Sequence, residues 1–114
     1  MKGTVFQPLA EGMHPWFIIS DERDGKVLAV NISDADKHPE STCFLFRDEH
    51  ESVKKDSGVF YRQAMLMEVT KLKKDLKQYC TVFPDCPEEI LKRIIAGALH
   101  EDSGLALKYR KYLE

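Results

Sequence analysis

Pro15-Trp16-Phe17-Ile18-Ile19-Ser20, a charged break at Asp21-Glu22-Arg23-Asp24-Gly25-Lys26, then Val27-Leu28-Ala29-Val30-Asn31-Ile32-Ser33, carries the strongest structural signal in the chain. Both arms are rich in β-branched and aromatic residues, which suit a pleated, half-buried surface. Asp24-Gly25 between them is a hairpin dipeptide, because a tight two-residue turn needs positive φ at both central positions. The arms therefore read as an antiparallel hairpin. A turn fixes strand register, so Ser33, at the end of the second arm, comes to the same end of the hairpin as His14.

Working outward, Val5 and Phe6 form a short opening strand, and Gln7–Gly12, with Pro and Gly, reads as a loop. Downstream, Asp34–Ser41 is a polar loop broken by Pro39, Thr42–Phe46 a third strand, Asp48–Gly58 a long polar loop or lid, and Val59–Met67 the next strand. The spacing then becomes helical. Thr70 is a capping candidate for a short helix with Val69, Leu72 and Leu76 on one face and Lys71, Lys73, Lys74 and Lys77 opposite. Tyr79–Phe83 reads as a short final strand. Asp85-Cys86-Pro87-Glu88-Glu89 starts a helix, with a capping candidate, a first-turn proline and two acids at the positive end of the dipole. Leu91, Ile94, Ile95, Ala98 and Leu99 line one face of it. A further helix is expected from about Ser103, carrying Leu105, Tyr109, Tyr112 and Leu113. The fold class is mostly β with C-terminal helices (α+β). One domain is expected over 1–114, with a small curled sheet or barrel over about 1–83 and a helical segment over about 87–114.

At 114 residues the chain is long enough for one core without covalent staples. The 17 basic and 19 acidic residues give a net charge of −2, too balanced to mark a nucleic-acid binder by charge alone. A local basic face stays open. The longest apolar stretch, Trp16–Ile19, is far short of a membrane span. No signal-peptide pattern opens the chain, and three cysteines, Cys43, Cys80 and Cys86, suit a reducing compartment better than a disulfide framework. A cytoplasmic protein is expected, with no membrane partner.

No phosphate-binding glycine loop, dinucleotide fingerprint or paired-cysteine zinc spacing is present, so no metal or organic cofactor is expected. Asp48-Glu49-His50 and His100-Glu101-Asp102 place acids beside a histidine but lack two-histidine helical spacing. Both read first as solvated loops. His14 stands at the head of a strand, held by the scaffold and open to solvent, where an imidazole can give or take a proton near neutral pH. With Ser33 at the same sheet edge, just beyond Asn31, the pair would bracket a phosphate. A third set lies on the long loop and the strand after it: Arg47, His50, Lys54, Lys55, Asp56, Ser57, Tyr61 and Arg62. A basic loop beside a sheet mouth holds a phosphate backbone, and Tyr61 would stack a base. The plainer alternative packs Phe60 and Tyr61 into the core and leaves the lysines to solvation.

Gly3-Thr4-Val5, the loop after it and His14-Pro15-Trp16-Phe17-Ile18-Ile19-Ser20 resemble the opening of the PemK/MazF-like toxins, and Val27–Ser33 is similar to their second hairpin strand. Asp48-Glu49-His50 through Asp56-Ser57-Gly58-Val59-Phe60-Tyr61-Arg62 resembles a loop and strand found in that superfamily. The resemblance covers about residues 1–68. It implies an SH3-like barrel, often a homodimer, acting as a metal-independent endoribonuclease of a toxin–antitoxin system. In that chemistry the 2′-hydroxyl of single-stranded RNA attacks the adjacent phosphate. It also implies a cognate antitoxin protein. Ser33 matches the family's strand-end hydroxyl. The family's Arg at the head of the first hairpin strand is replaced by His14, which cannot offer a permanently charged bidentate clamp. On this reading His14 and Ser33 are catalytic, and Asn31, Arg47, His50, Ser57, Tyr61 and Arg62 bind substrate. The competing reading is a non-catalytic SH3-like binding module or an accessory protein of a phage or mobile element.

Overall fold

Asp24 and Gly25 take φ of 54° and 76°, so the hairpin turns where the Asp-Gly dipeptide requires. The computed structural model describes residues 1–114. Its strands are β1 (Val5–Pro8), β2 (Trp16–Ile18), β3 (Lys26–Asp34), β4 (Phe44–Leu45), β5 (Ser57–Glu68) and β6 (Cys80–Phe83). Helix α1 (Val69–Gln78) lies between β5 and β6, and α2 (Glu88–Leu99) follows β6. Short 3-10 turns occupy Ala35–Lys37 and Leu107–Tyr112. The six strands form one antiparallel sheet in the order β4-β5-β3-β2-β1-β6, curled into a half-barrel. The protein is thus a mostly β, α+β small barrel-like fold.

The hairpin carries a slip. Arg23 bridges Lys26 across the turn, which in regular pairing would set Trp16 opposite Ser33. Trp16 instead pairs with Asn31, because three residues, Ser20–Glu22, stand opposite Val27 alone. The Ser20 hydroxyl fills the gap in the ladder: its Oγ accepts the Leu28 N–H at 2.8 Å and donates to the Asp21 carbonyl at 3.1 Å. A two-residue slip keeps every side chain on its face. It also moves the far end by one pleat. The Ile32 N–H donates to the Pro15 carbonyl at 3.2 Å, so Ser33 comes level with His14.

Alternation divides the sheet. Val5, Phe17, Ile19, Leu28, Val30 and Ile32 face α2, which contributes Ile90, Leu91, Ile94 and Ala98 to the main core. Phe6, Trp16, Ile18, Val27 and Ala29 face the other way and meet Val69 and Leu72 of α1. β5 serves both faces through a wide bulge: Asn31 pairs with Phe60 and Ala29 with Met65, so Val30 stands opposite four residues, 61–64. The three extra residues invert the alternation, which buries both Tyr61 and Ala64 on the main core and turns Arg62 and Gln63 outward.

Tyr61 is the largest fully buried side chain, and its hydroxyl donates to the Ile94 carbonyl at 2.6 Å. The helix fits over it because residue 97 is glycine. A Cβ there would collide with the Tyr61 hydroxyl, lie 2.8 Å from Cys43 Cβ and 3.1 Å from the Thr42 carbonyl oxygen. Gly97→Ala is expected to destabilise the protein by up to about 2 kcal/mol. Overpacking costs about 1–3 kcal/mol, and alanine's better helix propensity returns about 1 kcal/mol of it. The urea midpoint should fall while the denaturant slope stays the same; an unchanged or raised midpoint would show that α2 shifts without cost.

The expected curled sheet is a six-stranded half-barrel, with β4 and β6 forming its edges. Several finer elements are corrected. β1 runs on to Pro8, and its register continues onto β6. The Thr42–Phe46 strand shrinks to Phe44–Leu45, because the Thr42 hydroxyl is turned to the Gly97 carbonyl at 2.7 Å. Thr70 does not cap α1: β5 runs straight into the helix at Val69, whose N–H donates to the Gly25 carbonyl. In α2 Pro87 occupies the capping position and no side chain caps the helix, although Glu88 and Glu89 sit in its first turn. The final helix is a 3-10 turn over Leu107–Tyr112, whose threefold period brings Tyr109 and Tyr112 to the same side.

Candidate functional site

Three segments meet at the end of the β2–β3 hairpin around a cleft of about 290 Å³. The β1–β2 loop supplies Met13, His14 and Pro15; the end of β3 supplies Ile32, Ser33 and Asp34; the segment before and into β5 supplies Ser52, Lys54, Lys55 and Ser57. The register slip puts His14 and Ser33 side by side here. His14 is exposed and Ser33 half-buried. The loop behind His14 is fixed by Gly12 at φ 77°, and by the Gln7 side-chain amide, which donates to the Met13 carbonyl at 2.9 Å.

The charge in the cleft is mostly positive. Lys55 Nζ lies 2.6 Å from Asp34 Oδ1, and Lys37 Nζ lies 4.0 Å from Oδ2. The hydrogen bond from Lys55 holds the Asp34 carboxyl below the usual carboxylate range, with smaller contributions from Lys37 and His14. Lys54 joins no ion pair and is exposed. Ser57 is buried; its hydroxyl donates to the Lys55 carbonyl at 2.8 Å, so it shapes the lysine segment and keeps that proton from a ligand.

The 46–57 loop is tied down along its length. His50 is buried: Nε2 donates to the Pro84 carbonyl at 2.8 Å, while Nδ1 accepts from the Ser52 hydroxyl at 2.8 Å and the Ser52 N–H at 3.1 Å. A carbonyl on one ring nitrogen and a backbone donor on the other set the Nε2–H tautomer. Glu49 receives Arg93 Nη1 at 2.6 Å and Nη2 at 3.2 Å, and Arg93 also donates to the Phe44 carbonyl at 2.7 Å. The Asp56 carboxylate accepts the Arg47 N–H at 2.9 Å. The polar run expected as a loop or lid is thus a clamped segment.

Arg93 holds the Glu49 carboxyl below its ordinary range. A carboxyl depressed in the fold relative to the unfolded chain stabilises at higher pH and loses that contribution as pH falls through its folded value. The clamp should therefore hold at neutral pH and weaken as pH drops below the 4.5 of a free glutamate. The pair is partly exposed, so the effect is modest and local. Exchange of the Val53 amide, bonded to the His50 carbonyl, should speed up over that window in the wild type. Glu49→Gln should exchange fast throughout. A wild-type rate showing no acid limb beyond intrinsic chemistry would remove the role of this pair.

The structure brings His14, Ser33, Ser57, Lys54 and Lys55 together. It does not bring the other candidates to that cleft. Asn31 is buried; its Nδ2 donates to Gln63 Oε1 at 3.0 Å and its Oδ1 has no partner. Tyr61 lies beneath α2. Arg62 lies against Gly104 at the C-terminal end of the chain. Arg47 lines a neighbouring hollow with Lys55 and Asp56, and its Nε is 3.8 Å from Asp48. His100-Glu101-Asp102 forms an exposed turn after α2. The Lys54–Lys55 contribution to the cleft and the clamp built from Ser52 and Arg93 are what sequence reasoning underused.

Cys43, Cys80 and Cys86 are free thiols. Burial raises the pKa of all three, Cys86 to about 11, so each stays protonated near neutrality and is a weak nucleophile. No three His, Cys, Asp or Glu side chains converge as a metal-binding group would. No helix is long and apolar enough to cross a membrane. In comparisons with protein-family models, curated proteins and solved structures, nothing matches the chain.

Proposed function

We propose that the cleft binds a phosphodiester of single-stranded RNA and cleaves it by internal 2′-hydroxyl attack. One observation carries this reading: an exposed imidazole, a strand-end hydroxyl and two lysines, drawn from three separate segments, line one cleft. His14 takes the proton from the 2′-hydroxyl. The O2′–P bond forms and the P–O5′ bond breaks, leaving a 2′,3′-cyclic phosphate. The imidazolium returns a proton to the departing 5′ oxygen, so protons balance and no oxidant or reductant is needed. Lys54 and Lys55 stabilise the charge on the phosphorane oxygens, and the Ser33 hydroxyl donates to one of them. The lysines supply the positive charge that the PemK/MazF-like pattern assigns to an arginine. The same resemblance supports a toxin role, a cognate antitoxin that covers the cleft, and a homodimer.

The test is incubation of purified protein with a mixed-sequence single-stranded RNA in EDTA. The expected products end in a 2′,3′-cyclic phosphate and a 5′-hydroxyl, and an all-2′-deoxy version of the strand survives. Cleavage of the deoxy strand, or no cleavage of any RNA by folded protein, would overturn the reading.

A further inference from the structure

The second face of the sheet is only partly covered. α1 places Val69, Leu72 and the partly buried Leu76 over it, and an open groove of about 460 Å³ remains between that helix, β5 and the β1–β2 pair. Met13, Met65 and Tyr79, all well exposed, line it above Trp16, and Lys71 of α1 stands on its rim. This groove is continuous with the polar cleft: Met13 lines both, with His14 on one side of it and Trp16 on the other. Met13 is no loose loop tip, because the Gln7 amide holds its carbonyl. It forms a fixed saddle between a basic, polar pocket and an apolar, partly aromatic one. Lys54 and Lys55 lie on the cleft side of that saddle, while the groove side carries Lys71 between Glu68 and Asp75, so the positive charge is confined to the cleft.

That pair of surfaces, polar and basic on one side of Met13, apolar and aromatic on the other, matches one phosphate and one neighbouring base of a nucleic-acid strand. Backbone phosphates need cations, and bases need flat apolar surface. We infer that the groove is the subsite for the base next to the phosphate held at His14 and Ser33, with Tyr79 as its stacking platform. The inference rests on the ribonuclease reading and extends it to a second site on the other face of Met13. Tyr79 suits the task. Its N–H donates to the Asp75 carbonyl and its carbonyl accepts the Leu9 N–H, both at 2.8 Å, so the backbone is pinned while the residue is 61% exposed. Such a ring is open to a ligand and carries no part of the core. Stacking tolerates any base, since every base has a π-face, so this subsite adds affinity without fixing sequence.

The experiment measures KM and kcat on a short single-stranded RNA with one cleavable ribose, all others 2′-O-methyl, for wild type, Tyr79→Ala and Tyr79→Phe. Two further substrates replace the base on either side of the cleavable bond with an abasic residue. Tyr79→Ala is expected to raise KM about 5- to 150-fold, the worth of one stacked base, with kcat nearly unchanged. Tyr79→Phe should keep the wild-type KM. One abasic substrate should show the raised KM already in the wild type and no further rise in Tyr79→Ala. If the wild type cleaves and Tyr79→Ala matches it on every substrate, the subsite is overturned and the ribonuclease reading stands. If the folded wild type cleaves none of them, both fall together.

Discussion

His14→Ala is expected to lower RNA cleavage by about 10²–10⁴-fold, the usual worth of a positioned acid–base group, while the protein melts where the wild type does. The two halves of this result have separate causes. His14 is exposed and accepts no hydrogen bond that the fold depends on, so its truncation leaves the core intact. Surface changes of that kind stay within about ±0.5 kcal/mol. In the proposed reaction it is also the group that carries the proton from one oxygen to the other. KM should move little, because Lys54 and Lys55 supply the attraction for phosphate. His14→Lys sharpens the test. A lysine restores positive charge beside the cleft but titrates far above neutrality, so it should bind RNA at least as well as wild type and cleave as poorly as alanine. A folded His14→Ala protein that cleaves at the wild-type rate removes His14 from the chemistry. A lysine variant with substantial activity would show that charge, rather than proton transfer, is what this position contributes.

Phe17→Ala is expected to cost about 3–5 kcal/mol, the range for removing a buried aromatic ring. For a chain of this size that lowers the melting temperature by about 12–20 °C. Phe17 is fully buried at the middle of β2, between Val5 of β1 and Val30 of β3. Strands pair on both sides of it, so the backbone cannot close over the space. The consequence reaches the cleft. The Phe17 ring centroid lies 5.8 Å from that of His50, at a tilt of 58°. Taking it away removes one wall of the His50 site and loosens the segment that presents Lys54 and Lys55. The variant should show a weaker KM for RNA even at temperatures where it is folded. A scanning calorimetry shift of only a few degrees would mean that neighbouring side chains collapse into the space, which the paired strands oppose.

The hairpin was legible because Asp24-Gly25 admits few other readings, and the change to helical spacing after Met67 was legible from Leu72 and Leu76. The β5 bulge was not. Tyr61, Arg62, Gln63 and Ala64 break the twofold alternation, and a sequence cannot say which face regains the count. The placement of Tyr61 hinges on Gly97, 36 positions away, whose missing Cβ makes room for the phenol. His50 shows the same limit for the site. Flanked by Glu49 and Glu51, it reads as solvated, yet its ring is buried against Pro84, a partner distant in sequence. The pairing of His14 with Ser33 followed from the turn in kind but not in detail. A regular hairpin would set Trp16 opposite Ser33, and only the slip at Ser20–Glu22 brings His14 there.

That slip makes the hairpin a measuring device whose scale is separate from its anchoring. Removing two of the three residues Ser20–Glu22 would slide one arm along the other by about 7 Å, two strand residues, without turning any side chain from oil to water. The spacing between imidazole and hydroxyl would change while every core side chain stayed on its own face. Removing one residue would do the opposite and turn an arm inside out. Lengthening or shortening this turn in pairs is therefore a route by which such a protein can retune what it acts on without first having to solve its folding again.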